Sequence, residues 1–250
     1  MIPIFEAIEF KNEMKGGSTR PWLITVLRDQ KPVPYVVKLY TEVNNEQNST
    51  VFKECICSCL AKEFDLDTPE YALIDFTPTF IETLPKHHRE ILEKRDSRLK
   101  FATKLLSPPY ENYSPAQESH LKNYDIGTIY AFDNLILNVD RRVDKPNLFF
   151  KEGYVSLIDH ELTLATAKNG INSLVSNDVW NHNYRRHLFF EPLLTKLVDL
   201  SFMPKVLDQL TECDYMLESY ESINNYLCVA QNNSKKFIQI IENTLHEQRV

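Results

Sequence analysis

The residues able to do chemistry in this chain are two aspartates, an asparagine, a lysine and a glutamate. Asp140 and Asn147 lie in a polar loop, and Asp159 follows a short hairpin, all within GTIYAFDNLILNVDRRVDKPNLFFKEGYVSLIDH, residues 127–160. Two aspartates at the two ends of one hairpin suit a divalent metal and a phosphate. Upstream, Gly16-Gly17-Ser18-Thr19 precedes a strand-like run. Such a turn exposes backbone N–H groups that can cradle a phosphate, and it is equally an ordinary hairpin connection. Lys38 is a cation inside the apolar run YVVKLY; either it snorkels to solvent or it has a partner. Glu54, on the helix that follows, is either a first-turn carboxylate favoured by the helix dipole or that partner. Phosphoryl transfer asks a protein for positioning and charge neutralisation more than for covalent work. In that chemistry Gly16, Gly17, Ser18 and Thr19 form the cradle, Lys38 holds phosphate and Glu54 holds Lys38. Asp140 receives the acceptor's proton, and Asn147 and Asp159 bind Mg²⁺.

The elements that position these groups are predicted from pattern. Residues 3–10 alternate weakly, as an edge strand does. Strands follow at 22–27 and 35–40, and residues 41–50, TEVNNEQNST, are polar and loop-like. Ser49 or Thr50 caps a helix over 51–64. A strand at 71–76, an amphipathic helical insert over 78–99 and a strand at 101–106 complete the first part. Ser107-Pro108-Pro109 breaks the chain sharply and PPYENYSP is extended. A helix over 125–138 leads into the Asp140 loop. Strands at 148–150 and 154–158 are joined by Lys151-Glu152-Gly153. Two or three closing helices occupy 193–210 and 215–247. The expected fold class is α+β, with a β-rich lobe over 1–106 and a helical lobe over 107–250.

Composition excludes several classes. The 250 residues are 43% hydrophobic and contain only 5 glycines, which argues for a packed globular chain. The net charge of −7 lacks the electrostatic footprint of a nucleic-acid binder. No signal peptide is evident, and no apolar run approaches the ~20 residues of a membrane span, so a cytoplasmic protein without membrane contact is expected. Five cysteines without a secretory signal point to reduced thiols. Cys55, Cys57 and Cys59 fall on a helix, where i and i+2 point about 200° apart, so they cannot share one ion. Two structural alternatives stand beside the site reading: Asp140 pairing with its neighbour Arg141, and Asp159 capping a turn. His160, His182 and His187 read as packing or orienting groups rather than ligands.

Several stretches together resemble the HipA-like kinases, a family distantly related in fold to protein and phosphatidylinositol kinases. They are YVVKLY with Lys38, FKECICSCLAKEFDLDTPEYAL, FDNLILNVDRRVDKPNL and VSLIDHELTLA. The resemblance covers roughly residues 10–165, and the Asp-Arg loop and the Ile-Asp strand end are its most diagnostic pieces. It implies a bilobal protein-kinase-like fold with a β-rich N-lobe, a helical C-lobe and ATP in the cleft. It also implies ATP and Mg²⁺ as cofactors and phosphorylation of Ser/Thr in a protein target. In toxin–antitoxin systems, where such a kinase is the toxin, it is often paired with a small DNA-binding antitoxin. The chain departs from the pattern at Lys145. Related loops place a metal-binding Asn there, five residues after the catalytic Asp, and a lysine cannot ligate Mg²⁺. Asn147, two residues later, can take over if the loop curls differently. Position 142 is Arg where related loops often have His. The alternative to an active kinase is therefore a nucleotide-binding pseudokinase that acts as a protein-interaction module.

Overall fold

The structure is a computed structural model that describes residues 2–15, 19–121, 126–164, 209, 223 and 225–229. Gly16, Gly17 and Ser18 lie outside the described residues. So do residues 180–190 and most of the expected closing helices. Among the described residues no helix is long and apolar enough to cross a membrane. The fold is mixed α/β, in two compact units. One takes Met1–Ile56, Pro69–Ser107 and Pro204–Glu218; the other takes Cys57–Thr68, Pro108–Met203 and Ser219–Val250.

The first unit is built on a closed barrel of five strands: β1 (Ile4–Glu13), β2 (Trp22–Arg28), β3 (Lys31–Val37), β4 (Tyr71–Asp75) and β5 (Lys100–Lys104), in the order β1-β2-β3-β5-β4. β1 pairs antiparallel with β2 and parallel with β4. The expected edge strand is thus an interior one, because closure gives each strand two neighbours. Period-two alternation sends Trp22, Ile24 and Val26 of β2 and Tyr35 and Val37 of β3 into a core shared with Leu39, Ala72, Ile74, Phe76 and Ala102.

Residues 41–50 are not a loop. They hold a helix, α1 (Glu42–Asn48), capped by Thr41, which accepts from the Asn44 N–H while the Asn44 side chain accepts from the Thr41 N–H. The polar composition suggested a loop; the reciprocal cap is what favours the helix. α1 ends at Ser49, in the left-handed region at φ 50°. The next helix, α2 (Thr50–Glu63), is capped by neither Ser49 nor Thr50: the Val51 N–H donates to Asn45 Oδ1 at 3.2 Å. The insert is two short helices, α3 (Pro78–Thr83) and α4 (Lys86–Leu92), because Pro85 interrupts the run.

Lys100 of β5 is buried, donates to the Arg98 carbonyl and lies 5.5 Å from the Phe76 ring centroid. Burial lowers its ammonium pKa to about 8, against the opposing pull of Asp96 and Asp75. The folded pKa is below the unfolded one of about 10.4, so between those values the unfolded chain holds a proton that the native chain lacks. Stability relative to Lys100→Met therefore rises as pH goes from about 8 to about 10.4, by on the order of 3 kcal/mol across the window. Urea midpoints of the two proteins at pH 7.5 and pH 10 measure the difference; a flat difference contradicts it.

The second unit contains a sheet β6-β7-β8, formed by β6 (Glu111–Asn112), β7 (Leu148–Lys151) and β8 (Tyr154–Leu157). The stretch expected to be extended contributes β6 and then a 3-10 helix, Pro115–Leu121. Helix α5 (Ile126–Leu135) buries Ile129, Tyr130 and Phe132, with Phe132 edge-on to Phe64 at 5.5 Å. The β7–β8 turn places Glu152 at φ 50° and Gly153 at φ 87°, the hairpin geometry that favours glycine. A Cβ on Gly153 would also stand 3.2 Å from the His120 carbonyl. In the closing region, helical residues are described at 209, 223 and 225–229, and the Tyr226 hydroxyl donates to the Leu135 carbonyl at 2.9 Å.

Candidate functional site

In the first unit, Lys38 stands one residue beyond β3 rather than inside a strand, and its N–H donates to the Phe101 carbonyl at 3.0 Å. The alternation of β3 continues past its end: Val37 and Leu39 are buried in the core, while Val36 and Lys38 are half-buried. Lys38 Nζ donates to Glu54 Oε1, which also accepts from the Tyr40 hydroxyl at 3.0 Å. α2 begins at Thr50, so Glu54 lies beyond the first turn and its carboxylate answers the lysine rather than the helix dipole. The side chains are 18% and 1% exposed, so this pair sits in a medium where partners matter far more than at a surface. Tyr40 was not singled out from sequence, where it only closes the strand-like run YVVKLY.

The expected cradle, Gly16-Gly17-Ser18-Thr19, precedes β2 in the chain. On either side of it, the Met14 N–H donates to the Pro21 carbonyl at 2.8 Å. Of the four cradle residues only Thr19 is described; it is half-buried in a turn.

In the second unit the aspartate loop is set by the end of α5. Asp133, buried in that apolar helix, accepts from Asn138 Nδ2 at 2.8 Å and from Arg141 Nε at 2.5 Å. Arg141 Nη1 reaches the carbonyls of Asn147 at 2.7 Å and Pro146 at 3.2 Å, so one buried guanidinium ties the helix end to both sides of the loop. Asn138 Oδ1 accepts from the Asp140 N–H at 2.9 Å. The pairing of Asp140 with Arg141 does not occur: Arg141 turns inward to Asp133. Asp133 was the functional neighbour missed in the sequence, and its signal was an acid inside an otherwise apolar helical run.

The hairpin brings the other two groups alongside. Leu148 pairs with Leu157, and the Ile158 N–H donates to the Asn147 carbonyl at 3.1 Å. Asn147 and Asp159 therefore leave the sheet at the same end, both in the left-handed region, at φ 50° and 65°. Asn147 Nδ2 donates to Asp140 Oδ2 at 3.1 Å. Asp140, Asn147 and Asp159 are thus brought together. His160 follows them buried, edge-on to Phe132 at 5.9 Å.

Lys145 stands among them. Its ammonium donates to Asp140 Oδ2 and lies 3.5 Å from Asp159 Oδ2. Burial pulls its pKa down, but the Asp140 hydrogen bond and the Asp159 and Asp140 charges outweigh that and hold it above the ordinary lysine value. Two carboxylates and the Asn147 amide oxygen are the hard oxygen donors that Mg²⁺ takes, so the residues fit that ion. Asp140 and Asp159 converge closely enough to share one cation, and the cation they share here is Lys145.

A family model described as HipA-like kinase matches residues 7–246. Among solved structures, the crystal structure of a Helicobacter pylori proinflammatory kinase, CtkA, aligns over 100% of this chain and 94% of its own, at 14% identity and a TM-score of 0.42. That degree of likeness carries no functional argument. The comparison with curated proteins gave no match.

Proposed function

This chain belongs to the HipA-like kinase family, and on that premise we propose an ATP- and Mg²⁺-dependent kinase that phosphorylates a Ser or Thr hydroxyl of a protein target. The observation that carries the reading is the convergence of Asp140 and Asp159 on one cation position, with Asn147 hydrogen-bonded to Asp140 beside it. In this reading the barrel unit serves as the β-rich lobe of a bilobal kinase and the second unit as the helical lobe. The loop of Gly16, Gly17, Ser18 and Thr19 cradles phosphate through its N–H groups. Lys38, held by Glu54, neutralises phosphate charge, and Asn147 and Asp159 hold the metal. Mg²⁺, when bound, screens the phosphate charge that otherwise repels a nucleophile. Asp140 accepts the hydroxyl proton as that oxygen bonds to the γ-phosphorus and the bond from the γ-phosphorus to the bridging oxygen breaks, releasing ADP. Among the described side chains Lys145 and Asn147 both meet Oδ2, and none donates to Oδ1, the oxygen suited to take the proton. The family's toxin role and antitoxin pairing are part of the same reading. A net charge of −7 fits a chain that leaves DNA contact to a partner.

A second reading, a nucleotide-binding pseudokinase acting by docking a partner, is favoured by one observation: Lys145 already holds the cation position. Transfer of labelled γ-phosphate from ATP separates the two. An active kinase labels itself or lysate proteins with Mg²⁺ present and loses the label with a chelator or in Asp159→Asn. No label, with ATP still raising the melting temperature, leaves the pseudokinase reading.

A further inference from the structure

Lys145 cannot be a metal ligand, since an ammonium has donors and no acceptor, yet it is built into the centre of the ligand set. Its backbone is clasped to Arg142 by two hydrogen bonds, N–H to carbonyl in each direction, at 3.0 and 3.1 Å. Pro146 follows, fixing the chain's exit toward Asn147. From that clasp the side chain reaches Asp140 Oδ2 and comes within 3.5 Å of Asp159 Oδ2. The same side chain is 43% exposed. It therefore has a route to water on a flexible stem, unlike Arg141, which is fully enclosed.

We infer that Lys145 is a tethered, displaceable cation that occupies the Asp140–Asp159 pair and sets the divalent-metal affinity of the site low. A tethered charge competes at high effective concentration, so metal enters only by moving the ammonium aside. The inference rests on reading Asp159 as a metal ligand, with the metal at the position where Lys145 now meets Asp140 and Asp159, and not on phosphate transfer. In that setting the activity of the chain would track free divalent-metal concentration over a range where a site without the lysine is already saturated.

The test is a Mn²⁺ titration of the full chain without nucleotide, with free Mn²⁺ followed by its electron paramagnetic resonance signal. Lys145→Met and Lys145→Gln, which remove the charge from a half-exposed position, are expected to tighten Mn²⁺ binding at least about 10-fold. Lys145→Arg, which keeps a cation, is expected to stay near wild type. Asp159→Asn combined with Lys145→Met is expected to lose the gain. Wild-type affinity in both Lys145→Met and Lys145→Gln, or a gain that survives Asp159→Asn, overturns the inference. Tighter Mn²⁺ binding alongside a chain that labels nothing would sink the kinase reading and leave this one standing.

Discussion

Asp140→Asn lowers γ-phosphate transfer by about 100- to 10,000-fold, the span expected when a positioned general base is lost. The substitution keeps shape and hydrogen bonding. An amide oxygen still accepts from Asn147 Nδ2, now 3.1 Å from Oδ2, and the backbone N–H still meets Asn138 Oδ1. What disappears is the basic oxygen and the charge facing Lys145. Lys145 is 43% exposed, so water takes over much of the lost partnership. The melting temperature is therefore expected near that of wild type while the rate collapses. Labelled transfer and a thermal melt on the same preparation check both halves. An Asp140→Asn protein with full transfer removes Asp140 as the base; one that is unfolded makes it structural.

Asp133→Ala is expected to cost about 3–5 kcal/mol, the range for removing one partner of a buried ion pair. Both Asp133 and Arg141 have side chains at 0% exposure. With Asp133 gone, the guanidinium keeps two carbonyls and loses its counter-charge, and Asn138 loses its acceptor as well. The penalty is one of desolvation without compensation, so it is not rescued by salt. Arg141→Met placed on top of Asp133→Leu should recover part of the loss, since an apolar pair leaves no orphaned charge. Urea denaturation of the single and double variants measures this. A cost under about 1 kcal/mol for Asp133→Ala would mean that the guanidinium finds another carboxylate or water.

The parts of the site that were legible in the sequence are those fixed by local periodicity. Asp140, Asn147 and Asp159 come together because two four-residue strands and a tight turn must return the chain beside itself, and pairing Leu148 with Leu157 sets the register. Lys38 and Glu54 were each readable in two ways from sequence. Their meeting needed the strand end and the helix to be packed in one unit, and the structure settles it in favour of the pair. The helix at Glu42–Asn48 was illegible because its support is a side-chain cap, not an apolar stripe.

What the sequence by itself determined is therefore the order of the strands' apolar faces, the hairpin and the chemical types present at its ends. What only the tertiary structure decided is which charge meets which. Arg141 turns away from its neighbour Asp140 to Asp133, and Lys145 points into the carboxylates instead of out to water. Those choices depend on desolvation and on competition among several carboxylates within reach of one another. Neither quantity is carried by residue spacing; both exist only once the α5 end, the clasped loop and the hairpin have closed around the same few ångströms.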